Sequence, residues 1–399
     1  MGRFVVRTAA AAALLLGPLA AGSAGAQEQE RYPKVQITGR AQEQFYWFDN
    51  EAFAEDVGPQ SNFFLRRVRL EARGELSERV AFFIQPSFEG GRTTSSTTTC
   101  DPVTVPAGGG TVRPECTTTS RGGIRLRDAW IDLRLTPAGT RTALFVRGGQ
   151  EKRPFSRLEL LSSNNLPTIE RGAGDGLPFT ASNDVFDDLG FMSQDVGASV
   201  RLEHALAGEP GGSGARLATL WVGVYNGQGE SLDDVNDAKS FGARATASLA
   251  GRLDVGASVF SRDRILAADS AFRTTGWGVD AQWSRPGEPG LFALAEYLQG
   301  EDATVAKNTV RGGQVLAAWH LRTASPRGLL YAVEPALRVD LVDPNADADA
   351  PNDRVTTLTG GLNFYLARRA ILRVAYERQS LQGADDAVQG VRSQLQVNF

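Results

Sequence analysis

The sequence predicts an all-β fold, a sixteen-stranded antiparallel transmembrane β-barrel, on three observations. Segments of about ten residues in which apolar and polar side chains alternate recur from Val35 to the end of the chain. The connections between them alternate too, short on one rim and long and polar on the other, as in outer-membrane barrels. The chain also stops in mid-strand. In SQLQVNF, Leu395, Val397 and Phe399 share one face and Gln394, Gln396 and Asn398 the other, where soluble domains tend to finish in a frayed polar tail. A strand apolar on one side up to its last residue is expected to meet lipid.

Taken in order, residues 1–26 read as a signal peptide. Arg3 and Arg7 precede an alanine- and leucine-rich run through Leu14–Leu16, and Ala24-Gly25-Ala26 supplies a small-x-small cleavage site. The run is too short for an anchor of about 20 apolar residues. Cleavage removes two bases and no acids, so the formal charge moves from -4 to -6. Residues 27–34 then form a short periplasmic lead before a barrel spanning 35–399. Strands are expected at about 35–48, 62–76, 80–89, 124–135, 142–151, 191–206, 216–226, 239–250, 252–264, 274–285, 291–300, 309–322, 329–342, 354–367, 370–382 and 391–399. The mean hydropathy of -0.23 looks soluble, but alternating strands hide a barrel from such an average.

The faces justify the barrel over a pair of secreted sandwiches, which would need a linker near the middle. In YAVEPALRVDL, Tyr331, Val333, Leu337, Val339 and Leu341 oppose Glu334, Arg338 and Asp340. A closed sheet satisfies every strand edge, as hydrocarbon requires. The lumen face is charged: Arg67, Arg69, Arg73, Asp128, Arg147, Arg338 and Arg373 are all expected there, with Glu71 among them. The last strand should pair with the first, leaving Phe399 as the terminal aromatic that barrel-assembly machinery recognises. Cys100 and Cys116, in the Thr/Gly-rich connection 90–123, are expected to form a disulfide pinning an extracellular loop.

Three stretches in order, FFLRRVRLEARGEL (63–76), IRLRDAWIDLRL (124–135) and LFVRGGQEKRPFSRLELLSSNNLPTIERG (144–172), resemble the phosphate-selective porin O and P family. The similarity is strongest over about 60–172. It implies a homotrimeric porin of the outer membrane whose third extracellular loop folds inward and narrows the channel. Strand counting independently makes 153–190 the third long connection. By motif position, Lys152, Arg153, Arg157, Ser162, Ser163 and Arg171 are implied at the constriction. The implied function is passive diffusion of small hydrophilic solutes with a bias to inorganic anions, phosphate included, since fixed guanidiniums concentrate anions and offer oxyanions a planar fork. Against that bias, residues 151–190 carry four bases and seven acids. A barrel plugged by this loop and serving as a surface anchor is the rival of another class, and a barrel-borne hydrolase a weaker one.

Other constellations lead elsewhere. DPNADADAPNDR spaces Asp343, Asn345, Asp347 and Asp349 like a calcium loop, but Ala348 and Arg354 stand where an EF-hand needs glycine and glutamate. GGIR, RGGQ and GGRTT lack the Lys-Ser/Thr ending of a phosphate loop. With two histidines, His204 and His320, and an acidic balance, neither a metal centre, a cofactor nor nucleic acid is expected. The six tryptophans, Trp47, Trp130, Trp221, Trp277, Trp283 and Trp319, all lie in expected strands and suit interfacial girdles or lumen walls.

Overall fold

A computed structural model describes residues 32–53, 58–88, 93–100, 116–121, 124–208, 216–232, 238–249, 251–267, 270–302, 308–323, 328–347, 353–366, 369–383 and 387–399. The expected signal peptide and most of the expected lead lie outside these residues. The strands are β1 Lys34–Phe48, β2 Ser61–Glu75, β3 Val80–Ser87, β4 Thr93–Cys100, β5 Cys116–Arg121, β6 Arg125–Arg134, β7 Thr142–Lys152, β8 Gln194–Ala207 and β9 Arg216–Tyr225. They continue as β10 Ser240–Ser248, β11 Leu253–Ala267, β12 Ser270–Trp283, β13 Gly290–Asp302, β14 Asn308–Arg322, β15 Leu330–Asp343, β16 Val355–Leu366, β17 Ala370–Leu381 and β18 Ala387–Asn398. Two short helices, α1 Arg157–Leu160 and α2 Ser182–Asp188, lie between β7 and β8.

Sixteen of these strands close into one antiparallel barrel, with β18 beside β1. Closure reaches the final residue: Gly39 N–H donates to the Phe399 carbonyl at 2.7 Å and Phe399 N–H to the Gly39 carbonyl at 2.9 Å. The Phe399 side chain is exposed on the outside. No described helix is long and apolar enough to cross a membrane; the strands cross it.

Alternation sorts the side chains as the sequence predicts. On β15, Leu337 and Leu341 are exposed outward while Arg338 and Asp340 are buried inside. Trp47 is exposed toward the long-loop rim, and Trp283 and Trp319 toward the short-turn rim, the positions of interfacial belts. β2 breaks the period once. Gln42 of β1 pairs with Arg67 and Glu43 with Leu65, so Arg66 is the extra residue of a β-bulge.

Two differences from the expected strand plan have local causes. β8 begins at Gln194 rather than 191, because Ser193 takes φ 71°, a left-handed conformation outside the β region. The cysteine-bearing connection also holds structure of its own, the two-stranded ladder β4–β5, built from threonines whose branched Cβ favours a pleated strand. Its register sets Cys100 opposite Cys116.

The largest apolar clusters lie inside the barrel. Phe155, Phe186, Phe191 and Met192 of the β7–β8 connection pack on Tyr225, Phe260, Leu298 and Val342 of the wall. Leu158 and Leu166 pack on Phe292, Leu294 and Leu316, while Ala173 and Leu177 meet Tyr46, Phe48 and Val388. This burial holds a 41-residue connection, 153–193, against the inner wall from β9 round to β1.

Candidate channel constriction

Polar groups fix the same connection at both ends and along its length. Arg153 joins its two ends, donating to the Gly190 and Met192 carbonyls at 2.7 and 2.6 Å and to the Asp195 carboxylate at 2.8 and 3.2 Å. Ser156 donates to Glu296 at 2.6 Å, and the other Glu296 oxygen accepts the Arg157 and Leu158 amides at 2.7 and 3.1 Å. The Arg157 guanidinium pairs with Asp280, which Arg244 also holds at 2.6 Å. Further on, lumen arginines donate to loop carbonyls: Arg338 to those of Glu170, Arg171 and Gly172, Arg392 to those of Ala173 and Asp175. Asn363 reaches Pro167 at 2.7 Å, and Asp340 accepts the Ser182 amide and hydroxyl at 2.8 and 2.9 Å.

The carboxylates of the loop form two further nodes. Glu170 accepts from Arg66 at 2.8 and 3.1 Å, Arg67 at 3.0 Å and Gln44 at 2.6 Å. Burial opposes its ionisation, but Arg66 and Arg67 outweigh it and hold the carboxyl well below the ordinary carboxylate range. Glu159 is likewise opposed by burial, yet Lys152, at 2.9 Å, and Arg171, at 3.5 Å, hold its carboxyl at about 2.

Between this loop and the wall formed by β1–β3 and β6–β9 lies a cavity of about 360 Å³. Seven basic side chains line it: Arg40, Arg69, Arg73, Arg127, Arg147, Lys152 and Arg171. Three acids, Glu71, Asp128 and Glu151, share the lining with Phe83, Trp130 and Trp221. Carboxylates behind it, Asp132, Glu159 and Glu230, pair with these bases, which raises the acids to six against seven. Apart from Arg40, which is 2% exposed against 9% for Glu71, the pairs are asymmetric toward water. Arg73 keeps 56% of its side chain exposed against 9% for its partner Glu71, and Lys152 19% against 9% for Glu159. Aromatic faces orient the guanidiniums: Arg147 lies 3.5 Å above the Trp130 ring and Arg73 5.3 Å from the Phe83 ring centre.

Four of the six residues implied at the constriction, Lys152, Ser162, Ser163 and Arg171, line this cavity. The other two do not: Arg153 and Arg157 are held in the anchors described above, away from it. Of the expected lumen residues, Arg69, Arg73, Asp128 and Arg147 line the cavity, Arg67 holds Glu170, Arg338 holds the loop carbonyls, and Arg373 donates to Gln396 at 2.8 Å. The sequence reading passed over Arg40, Arg66, Arg127, Glu170, Glu230 and Arg392. Arg40 and Arg392 stood in expected strands on the polar face and could have been found by alternation. Arg66 too left a signal, the phase of alternation switching from Phe63 and Leu65 to Val68 and Leu70 across the Arg66-Arg67 pair. His204 meets the Thr142 hydroxyl at 2.9 Å and His320 the Glu334 carboxylate at 3.1 Å. In the calcium-like loop, Asp343 pairs with Arg354 and Asp347 accepts the Thr309 amide; Asp349 lies outside the described residues.

The family described as phosphate-selective porin O and P matches residues 35–282 of the chain. None of the curated proteins compared by sequence matches it. Among solved structures, the fold is similar to an anion-selective porin from Comamonas acidovorans, with TM-score 0.56 and 12% identity over 92% of this chain and 100% of that one. The outer-membrane channel DcaP of Acinetobacter baumannii gives 0.54 and 14% over 93% and 99%. OmpT of Vibrio cholerae, an outer-membrane protein in trimer form, gives 0.52 and 10% over 92% and 100%.

Proposed function

Because the chain belongs to the phosphate-selective porin O and P family and is an outer-membrane porin, we propose that its channel favours small inorganic anions, phosphate among them. The observation that carries this reading is the asymmetry of the ion pairs along the passage: Arg73, Arg127, Arg147, Lys152 and Arg171 are each more exposed than the carboxylate they pair with. A permeating ion then meets guanidiniums and an ammonium in front, with their counter-charges set back in the wall and loop. The net balance of about one positive charge implies a modest preference, and Coulomb attraction in a narrow, partly desolvated passage makes even that balance effective. Loop 153–193 supplies the constriction, with Lys152, Ser162, Ser163 and Arg171 on the solute's path and Arg153 and Arg157 keeping the loop in place.

Around this core we infer a homotrimer, by likeness to the trimeric neighbour, export through the cleaved segment 1–26, and recognition of Phe399 by the assembly machinery. A Cys100–Cys116 disulfide is supported by the ladder that sets the two residues opposite each other. Single-channel recording of the refolded mature protein in a planar bilayer under a KCl gradient tests the anion preference. The expected result is steady conductance, a reversal potential directed to chloride and partial block by added phosphate. A potassium-directed reversal potential would overturn the preference.

A further inference from the structure

The connection that follows β9 takes a course its topology does not demand. β9 lies between β8 and β10, so a chain bound for β10 has no need to turn back. Residues 226–232 do turn back, across three strands. The Asn226 amide closes the β8–β9 ladder on the Val196 carbonyl at 3.0 Å, and the turn begins with the Gly227 amide, which donates to the Asp195 carboxylate of β8 at 2.8 Å. Ser231 then reaches β7, its amide donating to the Gln150 side chain at 2.6 Å. Its hydroxyl meets the Leu126 carbonyl on β6 at 3.3 Å. Ser231 takes φ 55° to do so, a conformation uncommon for a residue with a Cβ. Gln150 completes the anchorage by donating to the Arg127 carbonyl at 2.7 Å.

This strap delivers one charge. Glu230 is ion-paired with Arg127, a base that lines the passage near the long-loop end of β6. We propose that Glu230 is a built-in counter-ion of the anion path: a carboxylate tethered by the strap that occupies Arg127 until an entering anion takes its place. The inference rests on the anion-preferring reading above. Like the oxyanions that the passage would admit, a carboxylate is negatively charged and accepts from a guanidinium, so it competes for Arg127, and its charge repels any anion at entry. Glu230 therefore limits the anion preference that the seven bases would otherwise impose.

The test compares full-length mature wild type with Glu230→Gln, Glu230→Asp and Arg127→Gln in planar bilayers under a KCl gradient, with inorganic phosphate as blocker. Glu230→Gln should raise the chloride-to-potassium permeability ratio at least about twofold and strengthen phosphate block, and Glu230→Asp should stay near wild type. Arg127→Gln should lower the ratio and weaken the block, which keeps the proposal testable should Glu230→Gln fail to fold. An anion-preferring wild type whose ratio is unmoved by Glu230→Gln, even with a lowered unfolding temperature, would reduce the strap to a mechanical latch and overturn this proposal alone. A wild type with no anion preference would defeat the underlying reading and this one with it.

Discussion

Glu170 shows how one carboxylate can organise a loop. Three side chains from β1 and β2 converge on it, two of them cationic, and its own side chain is buried. Glu170→Gln should leave Arg66 and Arg67 without their shared anion and cost about 2–4 kcal/mol, read as a lower midpoint in thermal or urea unfolding of the detergent-solubilised barrel. The low pKa of the Glu170 carboxyl means that its stabilising charge is complete above the ordinary value of 4.5 and is lost only as pH falls well below it. Asp187 on α2 behaves in the opposite sense. The residue is exposed at the loop surface, yet partial desolvation by the loop around its carboxyl, reinforced by the charges of Glu159 and Asp188, pushes it up to about 7. Whatever stability its neutral form contributes is present below 3.8 and is lost as pH rises through about 7. Asp187 lines a second cavity with Arg153 and Arg262, so moving from pH 8 to pH 6 removes a negative charge from the loop's outer side. The anion-to-cation permeability ratio should rise over that interval, and Asp187→Asn should abolish the step. Neither residue was legible beforehand: charge counting along 151–190 registers both as acids, and only the folded neighbourhood distinguishes a carboxylate held ionised by two arginines from one raised by partial desolvation beside Glu159 and Asp188.

At the scale of elements, strands were legible and their irregularities far less so. Hydrophobic alternation placed all sixteen barrel strands, because lipid outside and water inside impose a period of two on every one of them. The β-bulge at Arg66 shows only as a switch in the phase of alternation across Arg66-Arg67, and the backward strap 226–232 follows from hydrogen bonds between residues distant in sequence that no local pattern encodes. The loop's seat is a further case. Phe186 and Phe191 lie against glycines of the wall: a Cβ at Gly300 would stand 2.7 Å from the Phe191 ring, and one at Gly312 2.9 Å from Ser182. These glycines serve as floor space for the loop. Gly300→Val should therefore displace the two rings and destabilise the protein by about 1–3 kcal/mol, seen as a lower unfolding temperature with the barrel's β-sheet circular dichroism retained.

For the molecule as a whole, the terminal strand pattern foretold closure, and the β1–β18 register extends from Arg40 opposite Asn398 to Phe48 opposite Gly390. Deleting 397–399 should expose edge groups at both termini and reduce the yield of heat-modifiable barrel in refolding assays, because hydrocarbon leaves unpaired backbone groups unsatisfied. What the pattern could not foretell was how the interior is filled, since a wide lumen and an occupied one show the same alternation. The filling has a consequence in time. Loop 153–193 is made before the strands that hold it: Arg373 reaches Asn164 across 209 positions, Arg392 reaches Asp175 across 217 and Gln396 reaches Asn164 across 232. Until the last strands arrive, the loop has no far wall to rest on, and contacts so distant along the chain form slowly. The narrowing of the pore and the joining of its seam are thus late events of one assembly, and a chain halted before its final strands would be left with neither.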